Sequence, residues 1–164
     1  MLQGAPLQAR CKALAERMFA RLAAVEARIH DQAVEDVTFH EVGAFDSIAD
    51  IVAAAAAVAW LEPASVSASP PLVGAGTVEC AHGILPVPAP ATAALLAGFP
   101  TLEGGEGELT TPTGALVLTS LVDRFGPPPP LRILCQGCGV GTKKLHGKPN
   151  GLAVVLGEIA NTDS

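Results

Sequence analysis

One segment of the chain, 51–61, carries only apolar side chains and reads IVAAAAAVAWL in one-letter code. Alanine-rich runs favour the α-helix, and a helix that is apolar on every side is normally surrounded by protein. The segment has about half the length that a bilayer requires, which favours a buried helix over a membrane span. We predict this helix over about 46–61, with its only polar groups in the first turns and Pro63 after its end.

A second helix is predicted by apolar side chains that recur at steps of three and four, with mostly charged side chains between them. This period is typical of an amphipathic helix with one face against a core. The apolar positions are Leu7, Cys11, Leu14, Met18, Leu22, Val25 and Ile29. We interpret this stripe as core packing rather than as a face for a cofactor.

Most of the 17 glycines and 14 prolines fall in the second half of the chain, which predicts turns and short strands there. We expect strands over 37–42, 65–68, 77–80, 131–135 and 152–156, a small helix that stops at Gly98, and a helix from Thr111 to Phe125. The alternation predicts an α/β fold bordering on α+β, with a mixed sheet of short strands packed against helices. We expect a single domain over 1–164.

The composition excludes several classes of protein. Apolar residues make up 49% and charged residues 16%, which is not the composition of a disordered chain. The net charge of −6 without a basic stripe argues against a nucleic acid as partner. Residues 1–10 show no secretory signal, so we expect a cytoplasmic protein without a membrane partner, with four cysteine thiols.

The first segment that could carry chemistry is 39–50, which contains an imidazole at His40 and carboxylates at Glu41, Asp46 and Asp50. Asp46 and Asp50 are four residues apart and therefore share one helix face. Imidazole together with carboxylates suits a borderline divalent cation such as nickel, manganese or zinc. The alternative is that Asp46 only caps the helix and Glu41 is only solvated. Spacing alone favours the capping and solvation interpretation, because isolated clusters of histidine and aspartate are common.

The second segment is 80–92. Cys80 and His82 are two residues apart, so they point the same way in an extended strand. A thiolate with an imidazole could bind a metal or act as nucleophile and base. The alternative is that Cys80 is a small buried apolar residue, and that the proline run 86–90 is only a stiff connector.

The third segment, 108–114, carries hydroxyls at Thr110, Thr111 and Thr113, followed by Gly114. Hydroxyls and backbone N–H groups at the start of a helix suit a phosphate or a carboxylate. Ordinary helix capping explains one threonine but not all three. Binding and capping are both open here.

Cys135 and Cys138 have the spacing of a zinc or redox motif. A zinc site normally needs a second cysteine pair, and Cys11 and Cys80 lack pair spacing. A thioredoxin-like motif opens a helix, whereas glycines follow here. A thiol oxidoreductase that depends on these two cysteines is a third alternative for the function, and the sequence gives it and the zinc site only weak support.

Four strings in a fixed order resemble the LarC-type nickel-insertion proteins, the pyridinium-3,5-bisthiocarboxylic acid mononucleotide nickel chelatases. They are 39–44 with 46–48 and 50–52, then 82–83 with 86–92, then 108–114, and then 149–150. The resemblance runs from about Leu7 to Glu158 and covers a central or N-terminal part of the family's length. Departures are the missing strand ahead of the long helix, Thr38 in place of a frequent histidine, and Cys138 in place of a frequent tyrosine.

The resemblance implies a nickel chelatase, a lyase, that makes the nickel-pincer cofactor of lactate racemase-type enzymes. It implies nickel ligands among His40, Glu41, Asp46, Asp50 and His82, and precursor contacts at Thr110, Thr111, Thr113 and Gly114. In the family the reaction consumes CTP with manganese or magnesium in a C-terminal domain, so we do not expect this chain alone to bind CTP. The implied partners are the pyridinium mononucleotide precursor, the C-terminal domain or a second subunit, and an apo lactate racemase-type enzyme. The alternative is a non-catalytic domain that binds or delivers nickel.

Overall fold

The structure, a computed structural model, describes residues 7–37, 45–80, 83–142 and 150–160. These residues contain four α-helices: α1 (Ala9–Ile29), α2 (Phe45–Leu61), α3 (Pro90–Leu96) and α4 (Pro112–Leu121). They also contain eight strands: β1 (Ser67–Ala68), β2 (Gly74–Ala75), β3 (Thr77–Cys80), β4 (Gly83–Pro86), β5 (Gly107–Glu108), β6 (Arg124–Phe125), β7 (Leu131–Val140) and β8 (Gly151–Ile159). None of these helices is both long and apolar enough to cross a membrane.

The predicted α/β class is confirmed, because helices and short strands of both pairing directions occur together. β1 pairs with β6 in parallel, whereas β2 with β5, β3 with β4, and β7 with β8 pair antiparallel. Within the described ranges the strands form separate two-stranded sheets. The chain clusters into two compact units, Met1–Gly126 and Pro127–Ser164. The single-domain organisation stays a prediction.

The core of the first unit is built on α1, which confirms the predicted amphipathic helix. The apolar stripe supplies Cys11, Met18, Leu22 and Val25, all buried. These side chains pack against buried residues of the other three helices, namely Ile51, Ala55, Ala59, Ala91, Leu95, Leu96, Ala115 and Leu116. Burial of a whole leucine side chain contributes about 2 kcal/mol, so this four-helix contact is the main source of stability in the unit.

Helix α2 has the predicted extent, but the prediction that protein surrounds it is wrong. Only Ile51, Ala55 and Ala59, which recur every fourth residue, are fully buried. Phe45 is 87% exposed and Trp60 is 76% exposed. The helix packs through one face, and its other faces carry mainly alanine, which costs little in water. Of the strand predicted over 37–42, Val37 instead follows a 3-10 turn, and the rest lies outside the described residues.

Helix α4 begins as predicted, with Thr111 as N-cap and Pro112 in the first turn, but it ends at Leu121 rather than at Phe125. The residues after it turn away because Val66 N donates to the Asp123 carboxylate at 2.8 Å, and Asp123 N donates to Val66 O at 2.9 Å. These bonds start the pairing of β6 with β1. A contact between distant parts of the chain therefore ends the helix earlier than the local sequence predicts.

The remaining predicted elements are present. β3 matches its predicted range, β1 begins two residues late, and α3 ends before Gly98, whose φ of 85° suits a glycine after a helix. In the second unit, the two predicted strands are confirmed and are longer than expected. They form an antiparallel ladder with an irregularity between Ile133 and Cys135.

Candidate functional site

The first turns of α2 and α4 line one cavity of about 290 Å³ in the first unit. Its lining residues are Asp46, Ser47, Asp50, Glu108, Thr111, Pro112 and Thr113. The first and third segments singled out in the sequence are about sixty residues apart, and the fold brings them together here. The positive ends of two helix dipoles therefore lie at the same cavity.

The two aspartates of α2 line the cavity one helical turn apart, as their spacing predicts. Both residues are exposed, so their carboxylates are open to a ligand. Asp46 Oδ1 accepts a hydrogen bond from Ser47 N at 2.8 Å, which uses one of its oxygens at the helix start. The second oxygen of Asp46 and both oxygens of Asp50 retain acceptor capacity for a cation.

The threonines before and within α4 have different surroundings. Thr111 is the N-cap, and its hydroxyl accepts a hydrogen bond from Gly114 N at 3.2 Å. Thr110 is 8% exposed and donates to Leu72 O at 2.6 Å, so it fixes the loop and is not among the residues that line the cavity. Thr113 lines the cavity. The binding role of these residues and of Gly114 stays a prediction.

Glu108 is a lining residue to which the sequence reasoning gave no role. It ends β5, where it pairs with Gly74 of β2. Gly74 has a φ of 83°, and a Cβ at this position would collide with the Gly107 carbonyl. The close approach of these strands, which only glycine permits, brings Glu108 to the cavity. No local sequence pattern predicts the position of Glu108 at the cavity, because the pairing joins residues more than thirty positions apart. Ser47 and Pro112 also line the cavity without a predicted role, and both lie in the first turns of the two helices.

The charges around the cavity have opposite signs. Asp46, Asp50 and Glu108 bring three carboxylates, whereas the N-termini of α2 and α4 bring partial positive charge. The three carboxylates outweigh the two helix ends, each of which carries about half an elementary charge, so the cavity attracts a cation and repels a bare anion. A divalent cation that brings an anionic group with it suits both kinds of charge.

No complete metal site is assembled within the described part of the chain. No group of three or more histidine, cysteine, aspartate or glutamate side chains there could hold a metal ion. His40, Glu41 and His82 lie outside the described residues. Of the predicted nickel ligands, only the carboxylates of Asp46 and Asp50 lie at the described cavity, and the assignment of nickel ligands stays a prediction.

Within the described residues, the cysteines are not arranged as a redox pair. Cys80 is half-buried in β3, and its Sγ donates to Gly83 O at 3.3 Å. Cys135 and Cys138 lie on β7, three residues apart, and therefore point to opposite faces. Three residues of strand span about 10 Å, which exceeds the Cα separation of about 7 Å that a disulfide tolerates. The thiol oxidoreductase hypothesis therefore has no geometric basis in this strand.

Comparisons with known proteins find similar sequences over nearly the whole chain. A family model described as nickel insertion protein matches residues 1–164. A protein of Geobacter sulfurreducens that is named for nickel insertion is 51% identical over 160 residues. Proteins named pyridinium-3,5-bisthiocarboxylic acid mononucleotide nickel insertion protein are 45% identical in Geobacillus kaustophilus and 44% identical in a Nocardioides species.

These matches cover nearly all of this chain but less than half of each relative. The Geobacter match takes in 97% of the chain and 41% of the relative. The Geobacillus match takes in 96% and 39%, and the Nocardioides match takes in 98% and 41%. The chain thus spans about two fifths of the length of these curated relatives. No solved structure matches the chain.

Proposed function

Because this chain belongs to the nickel insertion protein family, we propose that it takes part in inserting nickel into pyridinium-3,5-bisthiocarboxylic acid mononucleotide. Two relatives carry the name of that reaction. The observation that carries the proposal is the cavity in which two aspartates of α2 face the N-terminus of α4. Nickel is the cation and the mononucleotide phosphate is the anion that this arrangement suits.

In this proposal, Asp46 and Asp50 hold the incoming nickel ion as substrate, together with His40, Glu41 and His82. Carboxylate and imidazole ligands bind a borderline cation such as nickel without the soft sulfur ligands that would hold it more strongly. The thiocarboxylate groups of the precursor are softer ligands and compete well for nickel, so transfer from carboxylate to sulfur is favourable. The aspartates also provide acceptors for a proton that nickel displaces from the precursor.

The phosphate of the precursor is proposed to bind at the start of α4. Pro112 has no N–H, Gly114 N is used by the Thr111 cap, and Ala115 N donates to Thr111 O at 2.9 Å. The hydroxyl and the backbone N–H of Thr113 are therefore the donors of the first turn that we assign to the phosphate. Thr110 contributes indirectly by fixing the loop through Leu72 O. The nickel ion between the phosphate and the carboxylates reduces their repulsion.

Replacing Thr113 by Val should weaken binding of the precursor about fivefold and change the free energy of unfolding by less than about 0.5 kcal/mol. The variant keeps the shape of the side chain but removes a hydroxyl that contributes about 1 kcal/mol as a hydrogen-bond donor. Calorimetric titration of the precursor and chemical denaturation measure the two quantities. Thr111→Ala is the comparison, because loss of the cap should lower stability by about 1 kcal/mol. If the Thr113→Val variant binds the precursor as tightly as the unchanged chain, the proposal that the phosphate binds at the start of α4 is wrong.

The product is proposed to be the nickel-pincer cofactor of lactate racemase-type enzymes, which are the acceptors of the finished group. We assign the use of CTP, with manganese or magnesium, to a C-terminal domain or a second subunit. This division is supported by the share of the relatives that the chain spans. The chain alone should therefore release no phosphate from CTP, and addition of the part of a relative that the chain does not span should enable turnover.

A second candidate function is a non-catalytic domain that binds and delivers nickel. It is favoured by the carboxylate lining of the cavity, which suits temporary binding of the cation. A turnover assay with nickel and the pyridinium precursor distinguishes the nickel-inserting enzyme from the nickel-delivery domain. If nickel appears in the pyridinium product when both parts are mixed, the chain belongs to the enzyme. If nickel only exchanges with a chelator, the delivery function is correct.

A further inference from the structure

The ribbon formed by β7 and β8 carries large apolar side chains that no other described residue of the second unit covers. Their exposed fractions range from 43% for Val155 to 79% for Val140. The other large apolar residues in this set are Ile133, Leu134, Leu152, Val154 and Ile159. So many exposed apolar side chains on one short element are typical of a surface that another polypeptide covers.

The exposed side chains occupy both faces of the ribbon. The register pairs Gly137 with Val154 and Gln136 with Val155, and successive residues of a strand point to opposite sides. Strand β8 reads GLAVVLGEI, which is nearly continuous in apolar residues. Strands with one face in water alternate apolar and polar residues, whereas strands covered on both faces read as such apolar runs. The sequence of β8 is therefore that of an interior strand.

The edges of the ribbon are open as well as its faces. Among the described residues, no third strand pairs with β7 or with β8. Each strand consequently has an outer row of backbone N–H and C=O groups that can accept a further strand. A two-stranded hairpin is only marginally stable in water, and stability requires more strands or a covering layer.

We infer that the β7–β8 ribbon is the docking surface for a strand-forming part of the same family, drawn from the length of the relatives that this chain does not span. The Geobacter relative has more than half of its length outside the match. A second copy of this chain, related by a two-fold axis, would cover one face or one edge and leave the opposite apolar face in water. A longer polypeptide can cover both faces and extend both edges. The inference rests on the proposed function only because the polypeptide that covers the ribbon is taken to belong to the same family.

Amide hydrogen exchange tests this inference on the chain and on the intact Geobacter relative. In the chain alone, amides of the ribbon should exchange within about tenfold of the unfolded rate, because the hairpin is not covered. In the intact relative, the aligned amides should exchange at least about a hundredfold more slowly. The amides of α1 are the internal reference, since they should be equally protected in both proteins.

Substitutions give the second readout. Val154→Lys should leave the thermal midpoint of the chain unchanged, because Val154 is 57% exposed there. Lysine at the aligned position of the intact relative should lower the midpoint by several degrees, because the position is covered. Val155→Lys tests the opposite face in the same way. Val34→Lys is the matched control, because Val34 is 47% exposed in the 3-10 turn and should change neither midpoint.

Two results would overturn the inference. The first is a ribbon that exchanges as fast in the intact relative as in the chain alone. The second is a chain that sediments as a dimer with protected ribbon amides and becomes monomeric in Val154→Lys, which would make a second copy the occupant. Neither readout involves nickel. If the chain does not take part in nickel insertion, the proposed function is wrong but the docking surface is unaffected. If the exchange and substitution tests fail, the docking surface is wrong but the proposed function is unaffected.

Discussion

Replacing Asp46 and Asp50 together by Asn should weaken nickel binding to this chain at least about a hundredfold, as measured by calorimetric titration. Both side chains line the cavity from one face of α2. Asparagine keeps their volume but removes two negative charges next to the cation. A loss of about 1.4 kcal/mol for each carboxylate corresponds to tenfold in affinity, and charge pairs near a protein surface have interaction energies of this order or larger.

The fold should survive the double substitution. Both aspartates are exposed, and Asp46 interacts with Ser47 N at the start of α2, so the cost in stability should be about 1 kcal/mol or less. The matched control is Glu16→Gln with Asp31→Asn, which removes two exposed carboxylates elsewhere in the first unit. If both double variants lose the same amount of affinity, nickel is attracted by the net charge of −6 and not by the cavity.

Replacing Arg21 by Met should lower the free energy of unfolding by about 3 kcal/mol. The Arg21 guanidinium donates to Thr119 O at 2.9 Å and to Leu95 O at 3.2 Å, which are carbonyls in the last turns of α4 and α3. It also lies 5.7 Å from the ring centroid of Phe99. Hydrogen bonds from a charged group contribute about 1.5 kcal/mol or more each, and a cation is favourable at the C-terminus of a helix. Methionine keeps the apolar stem but none of these contacts.

Chemical denaturation measures this loss. Arg17→Met is the matched control, because Arg17 is exposed on the same helix and its replacement should change stability by less than about 0.5 kcal/mol. Arg21→Lys should fall between the two, since a single ammonium cannot reproduce the planar fork that reaches two carbonyls. Equal stability of the Arg21→Met and Arg17→Met variants would show that Arg21 does not tie α1 to α3 and α4.

The helices were predictable because their signals are local. The three-and-four stripe predicted α1, the apolar run predicted α2, and a threonine followed by proline predicted the start of α4. The same local logic placed Asp46 and Asp50 on one helix face, and both now line the cavity. Each of these features depends on residues within one or two turns of one another.

The features that sequence reasoning missed depend on contacts between distant segments. Pairing of β6 with β1 ends α4 at Leu121, and pairing of β5 with β2 brings Glu108 to the cavity. The exposure of Trp60 follows from the packing of α2 through a single face, which an apolar run cannot reveal. Local periodicity contains no information on which segments of the chain meet.

Titration of nickel into the chain, with and without pyridinium-3,5-bisthiocarboxylic acid mononucleotide, tests the central claim most directly. If the cavity holds nickel next to the precursor, each ligand should strengthen binding of the other by the same factor. We expect nickel to bind at least about tenfold more tightly when the precursor is present, which corresponds to about 1.4 kcal/mol of coupling. We also expect this difference to disappear when Asp46 and Asp50 are replaced by Asn. Identical nickel affinities with and without the precursor would contradict the claim that one cavity binds both.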